Sequence, residues 1–216
     1  MDIYHEEARA YIREFFDVVL NDWGYDMVKL DFLYCACLIP RRDKTRAQVM
    51  YDGMRLLRDL CGDALILGCG VPLAPAFGLV DYCRIGCDVG LDWDDKFHMR
   101  LIHRERVSTR QAMGNSVFRR QLNGRAYLSD PDVFFLRDDN IRLTSEQKEK
   151  LSTLNAIIGG VLLTSDNMGN YGPEQLARYG ELLALRDAKV TGVEVSGREI
   201  TVSYKLSGKT NTFSFK

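Results

Sequence analysis

Short apolar runs recur along this chain, and between them lie longer stretches whose apolar residues fall three and four positions apart. The runs begin at Met27 in MVKLDFLYC and continue with ALILG (64–68), YCRIG (82–86), RAYLS (125–129) and GVLLTS (160–165). Helices are predicted over 5–22, 44–60, 96–122, 145–155 and 173–183. Apolar strands alternating with amphipathic helices imply parallel strands covered on both faces, so the predicted class is α/β with about five βα units. After Asp187 the period changes to two. Val193 and Val195, then Ile200, Val202, Tyr204 and Leu206, then Phe213 and Phe215 alternate around turn signals at Ser196-Gly197 and Ser207-Gly208, which predicts an antiparallel meander.

With 216 residues, 46% hydrophobic and 27% charged, the chain can bury a sizeable core and is no disordered or fibrous sequence. A net charge of -1 leaves no basic stripe for nucleic acid, and Arg41, Arg42, Lys44 and Arg46 read as a solvated loop. No run nears the ~20 apolar residues of a membrane span, and MDIYHEEARA has no signal-peptide pattern, so a cytoplasmic location is expected. Six cysteines without a CxxC pair, and three histidines, favour reduced buried thiols over zinc or disulfides. No metal or cofactor is expected.

Polar residues gather where the predicted strands end: Lys29 and Asp31, Cys69, Arg84 and Asp88, Asp130 and Asp132, Ser165 and Asp166. That end is where α/β sheets and barrels bind ligands. A strand-end aspartate also often caps a helix or shapes a turn. Lys29 shares Asp31's side of its strand and would keep that carboxylate ionised, whether as a nucleophile or in a simple salt bridge. Asp88 sits among Cys83, Ile85, Cys87 and Val89, and partial burial there would raise its pKa; Arg84 is then expected to face substrate hydroxyls rather than Asp88. One ionised and one protonated carboxyl is what glycoside hydrolysis requires. Cys69 lies between Gly68 and Gly70, small residues that allow close approach to the backbone. Trp93 reads as packing or as a sugar-stacking ring.

The segments WGYDMVKLDFLYC, ILGCGVPLAPAFGLVDYCRIGCDVG, LSDPDVFFLR and LLTSDN, in that order, resemble family 36 of the glycoside hydrolases, largely α-galactosidases with a TIM-barrel catalytic domain. The resemblance implies Asp31 as the nucleophile and Asp88 as the acid/base. It places Lys29, Cys69, Gly70, Arg84 and Asp130 along the sugar pocket, with an α-galactoside or small oligosaccharide as substrate. Five strands are fewer than a barrel's eight. Residues 1–186 are therefore expected to be the part of the barrel from its fourth strand onward, and 187–216 the start of a C-terminal antiparallel β domain, the whole being a fragment. An open barrel edge would invite self-association or pairing with an N-terminal half. A non-catalytic sugar-binding or scaffold remnant, and a complete five-strand doubly wound domain, are the alternatives.

Overall fold

The computed structural model describes residues 2–102 and 107–216. The fold is α/β, with short parallel strands, helices and a three-stranded antiparallel sheet. It divides into two compact units, Met1–Arg84 with Arg125–Leu128, and Ile85–Gly124 with Ser129–Lys216.

In the first unit, helix α1 (Glu6–Asp17) runs into a wider turn over 18–22, closed by Trp23 N–H on the Val18 carbonyl at 2.9 Å. The apolar stripe predicted for 5–22 is only partly buried. Phe16 and Val19 face inward, while Tyr11 and Phe15 stay exposed, because the stripe is broader than the face α1 covers. Strand β1 (Met27–Leu30) follows and pairs in parallel with β2 (Leu65–Gly68), Val28 opposite Ile66 and Leu30 opposite Gly68. Strand β3 (Tyr82–Arg84) continues the row, Gly68 opposite Cys83. β1 stands at the edge of its sheet.

Between β1 and β2 lies helix α2 (Arg46–Cys61), whose start is fixed by Thr45. Its hydroxyl accepts from Gln48 N–H while the Gln48 side chain accepts from Thr45 N–H, a reciprocal cap that satisfies two otherwise unpaired amides. Val49, Met50, Met54 and Leu56 form its buried side. At the other end of the strands the Asp81 carboxylate accepts from Ile66 N–H at 2.8 Å and from Arg58 at 3.3 Å, tying α2, β2 and the approach to β3 together.

The second unit is built on α4 (Thr109–Arg119), α5 (Ser145–Ile158) and α6 (Pro173–Leu185). The single helix predicted over 96–122 is two: α3 (Phe97–Ile102) precedes α4. Ser108 starts the second by accepting from Gln111 N–H through its hydroxyl, a local cap that competes with continuing the first. Residues 103–106, including His103, lie outside the described residues. The strand predicted at 125–129 falls later, as β4 (Leu128–Asp130), and a two-residue strand β5 (Val133–Phe134), unforeseen, pairs in parallel with β6 (Leu163–Thr164).

Met113, Val117, Phe134, Leu151, Leu154, Ile158 and Leu182 make this unit's core, which Val202 and Phe215 of the meander complete. The meander is β7 (Lys189–Ser196), β8 (Glu199–Leu206) and β9 (Lys209–Phe215), with Val193 opposite Val202 and Val202 opposite Phe213. Ser207 and Gly208 both have positive φ, 48° and 83°, the two-residue turn whose twist matches antiparallel strands.

Candidate active site

β1 ends at Leu30, so Asp31 leaves the strand rather than extending it. The next residue, Phe32, has φ 54°, a left-handed conformation that is costly for a bulky side chain. Two interactions hold it. Phe32 N–H donates to Asp31 Oδ1 at 2.7 Å, and the backbones of the two strand ends interlock, with Cys69 N–H on the Leu30 carbonyl at 2.8 Å and Tyr34 N–H on the Gly70 carbonyl at 2.8 Å. Gly70 is required there. Its own φ is 59°, and a Cβ would lie 3.2 Å from the Phe32 amide nitrogen and Cα. At Gly70 the chain itself approaches closely, through the Phe32 backbone.

Around the exposed Asp31 stand Cys69, Lys29 and Arg84, all in the first unit. Partial burial pushes the Asp31 carboxyl up, but the Cys69 thiol hydrogen bond, the Phe32 amide, and the charges of Lys29 and Arg84 outweigh it and hold the group below the usual aspartate range. The balance leaves a carboxylate at neutral pH. Cys69 is pushed the other way, to about 11, first by burial and then by its bond to Asp31, with Arg84 and Lys29 opposing. It is a protonated donor and not a nucleophile at neutral pH. Arg84 is 7% exposed and acts on Asp31 and Cys69. Phe32 and Tyr34, 65% and 42% exposed, meet edge to face beside Asp31, an aromatic pair that the sequence reading had not singled out.

Asp88 belongs to the second unit. The alternation that would have half-buried it stops at Arg84, where β3 ends, and its side chain is exposed on a loop. That loop is fastened on both sides of Asp88. Cys87 Sγ contacts the Ser108 carbonyl at 3.8 Å, and Val89 N–H donates to Asp132 Oδ2 at 2.6 Å. Thr109 Oγ1 donates to the carbonyls of Gly90 and Asp92 at 2.8 and 2.9 Å. Asp130 is fully buried, and its Oδ1 accepts from Asp132 N–H at 2.8 Å.

Asp166, Trp93, Asp92 and Asp94 have partners within the fold. Asp166 accepts from the amides of Leu136 and Arg137 and from the Tyr171 hydroxyl, stapling β6 to the segment after β5. Trp93 packs edge to face on Phe215 and donates its indole N–H to the Lys216 carbonyl at 2.8 Å. Asp92 pairs with Arg142 and Asp94 with Arg110, and no group of three or more potential metal ligands occurs among the described residues.

Among solved structures, the chain superposes on TtGalA, an α-galactosidase from Thermus thermophilus in complex with p-nitrophenyl α-D-galactopyranoside. The TM-score is 0.77 and the identity 28%, over 97% of this chain and 41% of that one. The fold matches part of that α-galactosidase's TIM barrel and ends in a three-stranded antiparallel sheet. The stachyose complex of TtGalA matches with TM-score 0.68 and 27% identity over 85% of this chain and 39% of that one. α-Galactosidase I from Mortierella vinacea matches in fold, with TM-score 0.67 and 14% identity over 91% of this chain and 53% of that one. The chain therefore spans less than half of TtGalA. No protein-family model matches it.

Proposed function

We propose that this chain carries the nucleophile and the acid/base of a retaining α-galactosidase of glycoside hydrolase family 36. The observation that carries the reading is Asp31: a strand-end carboxylate kept ionised by Cys69, the Phe32 amide, Lys29 and Arg84, on a backbone held in a strained turn. Strain retained at such a position is characteristic of a functional site. Asp88 is exposed on a loop whose backbone is anchored at Cys87 and Val89, which fixes the position from which it would reach a leaving group. The likeness to TtGalA, bound to an aryl α-galactoside and to stachyose, supports terminal α-linked galactose as the substrate.

In the proposed double displacement, an Asp31 oxygen attacks the anomeric carbon while Asp88 gives its proton to the departing glycosidic oxygen. Asp88 then takes a proton from water as that water displaces Asp31, restoring both carboxyl groups with net retention. Lys29 and Arg84 maintain Asp31 as the anion before attack. The open edge of β1 is where the strands of an N-terminal half of the barrel would add, or where a second copy would pair.

Asp31→Gly is expected to lower hydrolysis of p-nitrophenyl α-galactoside by about 10⁴-fold, with turnover to galactosyl azide partly restored by added azide. Hydrolysis that survives the substitution refutes the nucleophile assignment. The span of under half of TtGalA favours a second reading, a sugar-binding remnant without turnover. Titration of the chain with galactose and with an aryl α-galactoside separates the two: turnover supports the enzyme, binding without turnover the remnant.

A further inference from the structure

Asp132 combines features that are each unfavourable. Its φ is 75°, in the left-handed region; its side chain is buried at 7% exposure; and it follows Asp130 in an Asp-Pro-Asp sequence whose other carboxylate is also buried. Three of its polar groups are committed. Its N–H donates to Asp130 Oδ1 at 2.8 Å, its carbonyl accepts from Asn155 Nδ2 at 2.9 Å, and its Oδ2 accepts from Val89 N–H at 2.6 Å. Asp130 and Asn155 are themselves buried at 0% and 1% exposure, so both ends of the residue are fixed by rigid neighbours. Such a conformation persists only where the surroundings over-determine it. The Oδ2 of Asp132 is thereby aimed at the amide immediately after Asp88.

We propose that Asp132 is a positioning residue for Asp88: its carboxylate fastens the Val89 amide and thereby fixes the backbone from which the acid/base projects. This rests on the reading of Asp88 as that acid/base. Cys87 is held by Ser108, Gly90 by Thr109 and Val89 by Asp132, so the backbone on both sides of the exposed Asp88 is fixed. Asp130 and Asn155 serve the same end indirectly, by setting the turn that aims Asp132.

The test uses the full chain with Asp132→Gly and Asp132→Asn. Glycine accepts the positive φ while removing the carboxylate; asparagine keeps an acceptor oxygen at the same place and also tolerates that backbone. Exchange of the Val89 amide hydrogen, followed by NMR, is expected to speed up about 10- to 100-fold in Asp132→Gly and to stay near wild type in Asp132→Asn. Val89 exchange unchanged in the glycine variant, or raised equally in both, overturns the proposal. In turnover, Asp132→Gly is expected to lower kcat for an unactivated α-galactoside, which needs the proton from Asp88, more than for the p-nitrophenyl substrate, with KM little changed. An equal fall for both substrates also overturns it. If wild type turns over neither substrate, the proposed function fails, and the amide exchange still decides whether Asp132 holds the loop.

Discussion

Asp31 stays charged because its neighbours outweigh the penalty of partial burial, and Cys69 is the strongest of them. The folded value is lowered, so the charge, and the stability it contributes, is present above the unfolded aspartate range and is lost as pH falls through the folded value. Cys69→Ala is expected to move the Asp31 titration upward, and Cys69→Ser, which keeps a donor, to move it less; carboxyl 13C shifts followed against pH measure both. An Asp31 titration that ignores Cys69→Ala would remove the thiol from the account. The charge of Lys29 does act on Asp31, as expected, although Asp31 lies one residue past the end of β1. The thiol's part was not legible in the sequence, since it depends on the β1–β2 register that puts Leu30 opposite Gly68. The half-burial expected for Asp88 failed for a related reason: parity carries information only while the strand lasts, and β3 stops at Arg84.

Among the elements, α5 shows how a helix can be central without a strong amphipathic pattern. Its residues from Leu151 to Ile158 are all buried, because α4, α6, β5 and the meander pack around it. Leu154, fully buried, has no room to be replaced by anything smaller without a cavity, so Leu154→Ala is expected to cost about 2–5 kcal/mol in urea unfolding. A loss below ~1 kcal/mol would mean that the site collapses around the truncation. Helix α5 was readable from Thr144 onward, where its capping box begins, but was predicted to end near 155; the buried Ile157 and Ile158 extend it. β5 was invisible to periodicity because two residues cannot show alternation. The start of α4 is marked by a single serine hydroxyl, a signal weaker than the apolar pattern around it.

At the scale of the whole chain, the α/β rhythm and the terminal meander were both legible, since each rests on many residues rather than one. The meander is also part of the second unit's core, with Val202 and Phe215 joining Leu154 and Ile158 in one buried cluster. Deleting 187–216 is therefore expected to lower Tm by about 10 °C or more in thermal unfolding followed by circular dichroism. An unchanged Tm would make the meander energetically separate. The six thiols carry a last consequence. Burial pushes Cys61 and Cys69 up to about 11 and raises Cys87, whereas Cys35 is exposed on the turn that follows Asp31. Alkylating reagents consume thiolate, so at neutral pH the cysteine that touches Asp31 is shielded and Cys35 is the accessible point of attachment. A fluorophore placed there would lie four residues along the chain from Asp31, an optical reporter that the fold has already made selective.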